Sequence, residues 1–219
     1  MGVWRRLRAF RCRVREPWSG FSHLCGLLLA TVGAVWLVSE SFGTPRFWAS
    51  AVYAGSLVAM YAASASYHLV NVGERVTKVL RRVDHSAIFL LIAGTSTPFV
   101  AHALSGATRV TMLAVLWASA ALGIAFRTVW FSAPRWLYTS AYVASGFVVT
   151  LRWRDIVGSI SMPVIACIVL GAVAYIVGAL VYAFRWPNPK PNHFGFHEVW
   201  HLFVLAASGL HFAAVGLLV

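Results

Sequence analysis

Seven long stretches of this chain contain no Asp, Glu, Lys or Arg, and they constrain the fold more than any other feature. They cover residues 17–39, 47–73, 85–108, 110–126, 136–151, 156–184 and 199–219. A helix needs about 20 mostly apolar residues to cross a bilayer, whereas a strand of a membrane barrel needs about 10 in strict alternation. Five stretches have the length of a spanning helix. The two shorter ones reach it when flanking residues such as Arg109 and Arg127 extend toward the headgroups.

We therefore predict an all-α integral membrane protein with seven transmembrane helices. The predicted helices cover about residues 18–39, 47–72, 86–104, 109–128, 135–152, 158–184 and 197–218. They form one transmembrane domain over residues 16–219, preceded by a basic tail over residues 1–15. The composition agrees, because 11% of the residues are charged, against roughly 25% in soluble domains.

The net charge of +12 suggests a nucleic-acid-binding protein until the positions of the 18 basic residues are examined. With seven spans, 14 of them lie on the side of the N-terminal tail, and the other four are Arg46, Arg109, Arg152 and Arg154. Cytosolic loops of membrane proteins carry an excess of Lys and Arg. We therefore predict a cytosolic N-terminus, an external C-terminus and no nucleic-acid partner. The tail is expected to contact anionic lipid headgroups rather than to be cleaved as a signal peptide.

Polar and ionisable side chains inside a membrane are costly, so each one indicates a functional site. Seven of them come from four helices and, with this topology, lie near the cytosolic side at similar depth. They are His23, Ser64, His68, Asp84, His85, His197 and His201. Topology alone therefore predicts that these residues converge.

His197 and His201 are four residues apart, so they share a helix face and are spaced to bind one metal ion. The alternative is a pair of interfacial histidines that only cap and hydrogen-bond. The run His197-Glu198-x-x-His201 also matches the zinc-protease signature, in which the Glu is the general base. His211 is the only metal-ligating side chain downstream, so a third ligand is expected from an earlier helix, and His68 is best placed.

Ser64 and His68 are also four residues apart, and Asp84 stands at the base of the third helix. An acid there is suited to orient or deprotonate a water held by a metal, and Ser64 to stabilise an oxyanion or orient Asp84. Three histidines with an open fourth position suit a catalytic Zn²⁺. The alternatives are an ion pair of Asp84 with Arg81 or Arg82, and a packing role for Ser64.

The run Gly94-Thr95-Ser96-Thr97-Pro98 lies within the third predicted helix. Proline removes a backbone hydrogen bond, and neighbouring hydroxyls can bond the carbonyls that it frees. The run predicts a distortion of this helix near the middle of the membrane.

Four groups of residues resemble the hemolysin III-type proteins of the progestin and adipoQ (adiponectin) receptor superfamily, and the resemblance covers almost the whole chain. The groups are Glu16-x-x-Ser19-x-x-Ser22-His23; Ser64-x-x-Tyr67-His68; Arg82-x-Asp84-His85-Ser86-Ala87-Ile88-Phe89 with Gly94-x-x-Thr97-Pro98; and Asn192-His193 with His197-x-x-Trp200-His201-Leu202-Phe203-Val204. Ser19 departs from the pattern, since the family usually has Asn there.

The resemblance implies a cytosol-proximal zinc ion bound by His68, His197 and His201, with Ser64 and Asp84 nearby. The superfamily includes alkaline ceramidases, which hydrolyse lipid amides with the same set of residues. We expect a multi-pass protein of the bacterial plasma membrane whose partners are membrane lipids. Three functions remain open: a zinc-dependent hydrolase of lipid amides or esters, or a sensor of membrane-lipid state; a pore-forming, cytolytic protein; and a receptor with structural zinc. The roles of His23, His85, Glu198 and His211 stay unassigned.

Overall fold

The computed structural model describes residues 14–191 and 193–219. Residues 1–13 of the predicted tail lie outside the described residues, and so does Asn192. The described residues form eight α-helices. They are α1 (Pro17–Ser41), α2 (Phe47–Leu69), α3 (Glu74–Ala103), α4 (Gly106–Val129), α5 (Arg135–Phe147), α6 (Trp153–Ser159), α7 (Met162–Phe184) and α8 (Phe196–Gly216). No strand forms within these residues, so the all-α prediction is confirmed.

Five of the described helices, α1, α3, α4, α7 and α8, are long and apolar enough to cross a membrane. The helix α2 has 23 residues, but it carries several buried polar side chains, including Ser50, Tyr53, Ser56 and Tyr61. These polar groups point into the bundle, where other helices rather than lipid surround them. An integral, multi-pass membrane protein is the architecture that these helices support.

The helices pack as a ring in which sequence neighbours are mostly neighbours in space. The chain passes from α1 through α4, and α8 packs against both α7 and α1 to close the ring. The helix α3 lies at the centre, because it also contacts α5, α6 and α8. We call the end of the bundle at which α1, α3 and α8 begin the amino-terminal face; the sequence predicts that it faces the cytosol.

The third helix begins at Glu74 rather than near residue 86. Its first three turns carry Arg75, Lys78, Arg81 and Arg82, which the sequence analysis assigned to the amino-terminal side. Residues 74–84 are mostly good helix formers, and Lys78 pairs with Glu74 one turn earlier at 2.7 Å. Part of the positive charge of the amino-terminal face is thus held on a helix.

The fifth span, predicted as one helix over residues 135–152, is an α-helix only as far as Phe147. The 3₁₀-helix Val148–Arg152 joins α5 to the short α6. The break follows Gly146 and contains Val148, Val149 and Thr150, which are all poor helix formers. The shortened α5 leaves space beside α3 and α7 in the middle of the bundle.

Candidate metal centre

Three histidines from two helices meet at the amino-terminal face. His68 lies in the last turn of α2, and His197 and His201 lie on one face of the first turns of α8. Their ring centroids are 5.1 Å apart for His68 and His197 and 4.8 Å apart for the other two pairs. One ligand nitrogen from each lies within 4.8 Å of the others. The structure thus brings together the three predicted ligands.

The hydrogen bonds of these rings indicate which nitrogen atoms remain for a metal. His68 Nδ1 lies 2.6 Å from Glu16 Oε2, while its buried Nε2 has no hydrogen-bond partner. His201 Nδ1 lies 3.2 Å from the carbonyl oxygen of Ser19, which leaves Nε2 for a ligand. A histidine that binds a metal usually donates its other N–H to a carboxylate or a backbone carbonyl. The donor set therefore fits Zn²⁺ bound by three histidines.

Glu16 is a site residue to which the sequence analysis assigned no role. An isolated bridge pairs Val14 with Val70, and the Glu16 amide donates to the His68 carbonyl at 3.0 Å, which holds Glu16 beside the end of α2. Burial raises the pKa of Glu16, but the hydrogen bond to His68 and the nearby basic groups of His68, His197 and Arg15 together hold the pKa below the ordinary glutamate value. The sequence feature that could have identified Glu16 is its position: it is an acidic residue directly before α1, at the membrane depth of His68.

Ser64 and Asp84 lie beside the three histidines, as predicted. The Asp84 carboxylate interacts with the Ser64 hydroxyl and with the His68 ring. The alternative partners, Arg81 and Arg82, form no ion pair with it among the described residues. Asp84 is thus placed to act on a group bound at the three histidines.

His23 completes this cluster from α1. Its Nδ1 lies 2.7 Å from Ser64 Oγ, and its ring stacks on that of His201 at a centroid distance of 3.8 Å. His23 is 3% exposed, and its Nε2 has no hydrogen-bond partner. The sequence analysis placed His23 on the correct side but could not identify its partner.

Glu198 does not lie among these groups. Its Oε2 accepts the Gly195 amide at 2.8 Å in a capping box at the start of α8, and its Oε1 accepts the Ser19 hydroxyl at 2.9 Å. Both oxygens therefore stabilise the helix start and its contact with α1. Glu198 is therefore not placed to act as the general base that the zinc-protease signature requires.

His85 and His211 also lie outside the group of three. His85 Nδ1 is 3.1 Å from the Tyr142 hydroxyl and 3.3 Å from Arg127 Nη2. His211 Nε2 is 3.2 Å from the carbonyl oxygen of Ile168, and its ring packs near Tyr175. Both belong to the wall of the cavity described next.

A cavity of about 600 Å³ extends from His197 and His201 into the bundle. His197, His201, Ser64, Asp84 and His23 line one end. The rest of the wall is mainly apolar and includes Leu91, Phe99, Val143, Phe147, Ile168 and Val204. His211 also lines it, ten residues after His201 on α8, which corresponds to about 15 Å along the helix. The cavity has the length and polarity to take an acyl chain.

A second pocket of about 570 Å³ opens on the other side of His197, at the amino-terminal face. The segment that precedes α1 and the loop that precedes α8 form it, and its polar lining includes Arg15, Glu16, Asn188 and Glu198. His197 lines both spaces, so one of the three histidines forms part of both walls.

Comparisons with known proteins identify the family of the chain. The model of the family described as "Haemolysin-III related" matches residues 12–212. The "Hemolysin-3 homolog" of Bacillus subtilis (strain 168) is 28% identical over 200 residues, which are 90% of this chain and 91% of that protein. The "Hemolysin-3" of Bacillus cereus is 32% identical over 202 residues, 90% of this chain and 88% of that protein. The chain therefore belongs to the haemolysin-III related family.

Proposed function

We propose that this membrane protein is a zinc-dependent hydrolase of lipid amides or esters. The observation that supports it is the cluster of three histidines, of which His197 and His201 line one end of a mainly apolar cavity and His68 has a buried Nε2 without a hydrogen-bond partner. Catalytic zinc sites have three protein ligands and an open position, whereas structural sites usually have four ligands and are closed. An acyl chain in the cavity would bring its carbonyl group to these histidines.

In this proposal His68, His197 and His201 hold Zn²⁺. When bound there, the ion supplies Lewis acidity and lowers the pKa of a water molecule toward ~7. Glu16 fixes the ring orientation of His68 through Nδ1, and the carbonyl of Ser19 does the same for His201. These contacts keep the ligand nitrogen atoms in place before any substrate arrives.

Asp84 is the proposed proton acceptor, since it is the carboxylate among the lining residues of the cavity and it interacts with Ser64 and His68. It takes the proton of the attacking water and can return it to the leaving amine or alcohol. When His23 carries its proton on Nδ1, it donates to Ser64 Oγ. The Ser64 hydroxyl hydrogen is then free to orient Asp84 or to bond the oxyanion that develops on the substrate carbonyl.

The test is incubation of purified protein with a mixture of membrane lipids, with and without a chelator, followed by mass spectrometry of the products. We expect lipid hydrolysis that the chelator stops and that a His197→Ala/His201→Ala variant lacks, together with loss of its zinc. His193→Ala, an exposed histidine at the same face, is the matched control and should keep both. Stoichiometric zinc in the double variant would overturn the site.

The names of the Bacillus relatives supply a second candidate, cytolysis. Bilayer conductance by purified protein that persists in the double variant, without lipid turnover, would favour a pore over a hydrolase. A receptor with structural zinc, or a sensor of membrane-lipid state, predicts a third result. In that case zinc removal lowers thermal stability while no lipid is hydrolysed.

A further inference from the structure

Three arginines surround one aromatic ring at the amino-terminal face. Arg81 and Arg82 come from the first turns of α3, and Arg127 comes from the last turn of α4. Their guanidinium carbons lie 4.9, 5.6 and 4.6 Å from the centroid of the Phe131 ring. We call these four residues the arginine cluster.

Arg127 is the buried member of the arginine cluster and is only 1% exposed. Its Nη1 donates to the Phe131 carbonyl at 3.1 Å, and Nη2 donates to His85 Nδ1 at 3.3 Å. Its Nε has no hydrogen-bond partner. The sequence analysis expected this side chain to extend toward the headgroups, but neighbouring side chains cover it instead.

No carboxylate neutralises the arginine cluster among the ion pairs of the described residues. Two other basic side chains do have such partners, since Lys78 pairs with Glu74 at 2.7 Å and Arg152 with Asp155 at 2.8 Å. Contact with aromatic rings offsets only part of the repulsion between three like charges, and a buried charge without a counter-charge is costly. The cluster therefore attracts an anion.

We propose that the arginine cluster binds the phosphate group of an anionic membrane lipid. Arg81 and Arg82 are exposed and can contact phosphate oxygens directly, while Arg127 adds charge from beneath. The planar guanidinium group matches phosphate with paired hydrogen bonds. The cluster lies where α3 and α4 meet the amino-terminal face, the level at which lipid phosphates are found, and basic pockets between helices bind such headgroups.

This binding site does not overlap the proposed hydrolytic site, although Arg127 contacts His85 in the cavity wall. None of the four residues of the arginine cluster lines the large cavity. The lipid held here is a bound partner on the outer surface of the bundle and is not the proposed substrate.

The experiment uses protein in neutral detergent. It measures the thermal unfolding of the protein and, by native mass spectrometry, the lipid that the protein retains. The added probes are phosphatidylglycerol, phosphatidylcholine or inorganic phosphate. We expect phosphatidylglycerol alone to bind tightly and to raise the melting temperature. Arg81→Gln/Arg82→Gln should weaken that binding by about 30-fold. Arg75→Gln/Lys78→Gln removes the same charge from the same helix and should leave binding nearly unchanged.

A second variant, Arg81→Lys/Arg82→Lys, keeps the charge. It tests the proposal if the glutamine variant fails to fold. It should show intermediate binding, because lysine lacks the planar fork. Equal binding of phosphatidylglycerol by the original protein and by the substituted proteins that fold would overturn the proposal. An equal effect of inorganic phosphate would overturn the assignment to a lipid and identify a site for soluble phosphate. Equal binding of phosphatidylcholine would show that the charge of the lipid is not recognised.

Discussion

The Oε2 atom of Glu16 lies 2.6 Å from Nδ1 of His68, although 52 positions separate the two residues in the sequence. The contact joins the segment before α1 to the last turn of α2. It leaves His68 Nε2 as the nitrogen that can bind a metal. In the proposed zinc site, the carboxylate and the imidazole would therefore act as one metal-binding unit.

Replacing Glu16 should weaken zinc binding. We expect Glu16→Ala to lower the zinc affinity roughly 10- to 100-fold, since it removes the group that orients a metal ligand. Glu16→Gln should have a smaller effect, because its amide oxygen can still accept the Nδ1 proton. Competition with a fluorescent chelator measures the affinity. Glu74→Gln, an acid at the same face that pairs with Lys78, is the control, and a loss of equal size there would contradict the assignment.

Replacing His23 should slow lipid hydrolysis without removing zinc. His23→Ala deletes the 2.7 Å contact with Ser64 Oγ, and the loss of orientation should lower turnover roughly 10- to 100-fold. His23→Asn can still bond Ser64 and should keep most of the activity. Turnover is read by mass spectrometry and zinc by elemental analysis. A large loss of zinc in His23→Ala would instead make this residue a metal ligand.

Gly94 allows α3 to approach α2 closely. A Cβ atom there would lie 2.6 Å from Ser56 Cβ and closer still to Ser56 Oγ, which already bonds the Tyr53 carbonyl. We expect Gly94→Ala to lower the free energy of unfolding by about 1–3 kcal/mol. Gly55→Ala, with open space around its Cα, should not be destabilising. Thermal unfolding in detergent compares the two, and Ser56→Gly should restore the Gly94→Ala protein.

The orientation in the membrane is a prediction from charge alone. With 14 of 18 basic residues on the amino-terminal side, that side should face the cytosol. Alkaline phosphatase is active only outside the cytosol, so a fusion after Val219 should be active. A fusion in the loop between α4 and α5, near Ser132, should be inactive. The reverse pattern would place the candidate metal centre on the external side.

The convergence of the three candidate metal ligands could be predicted because their positions depend on rules that need no tertiary structure. Spacing puts His197 and His201 on one helix face, and alternating topology puts His68 at the same depth. Neither rule determines which helices are adjacent in the plane of the membrane. The contacts of His23 with Ser64 and of Glu16 with His68 therefore could not be predicted.

The ends of the helices were harder to predict for a related reason. The absence of charge identifies the part of a helix within the lipid, but α3 continues from there through Arg82 to Glu74 in a charged, soluble-like segment. The burial of Arg127 was not visible either, because Phe131 and Tyr138, which cover its guanidinium group, follow it in the next loop and helix. Side-chain packing, rather than hydropathy, determines its position.

His197 forms part of the wall of two spaces, the apolar cavity and the polar pocket at the amino-terminal face. In the proposed hydrolysis the two reactants would therefore arrive by different routes, the lipid laterally from the bilayer and the water from the aqueous side. The products would separate in the same way, since the acyl chain can return to the membrane while the polar fragment leaves on the other side. Such an enzyme would release a water-soluble compound into one compartment only.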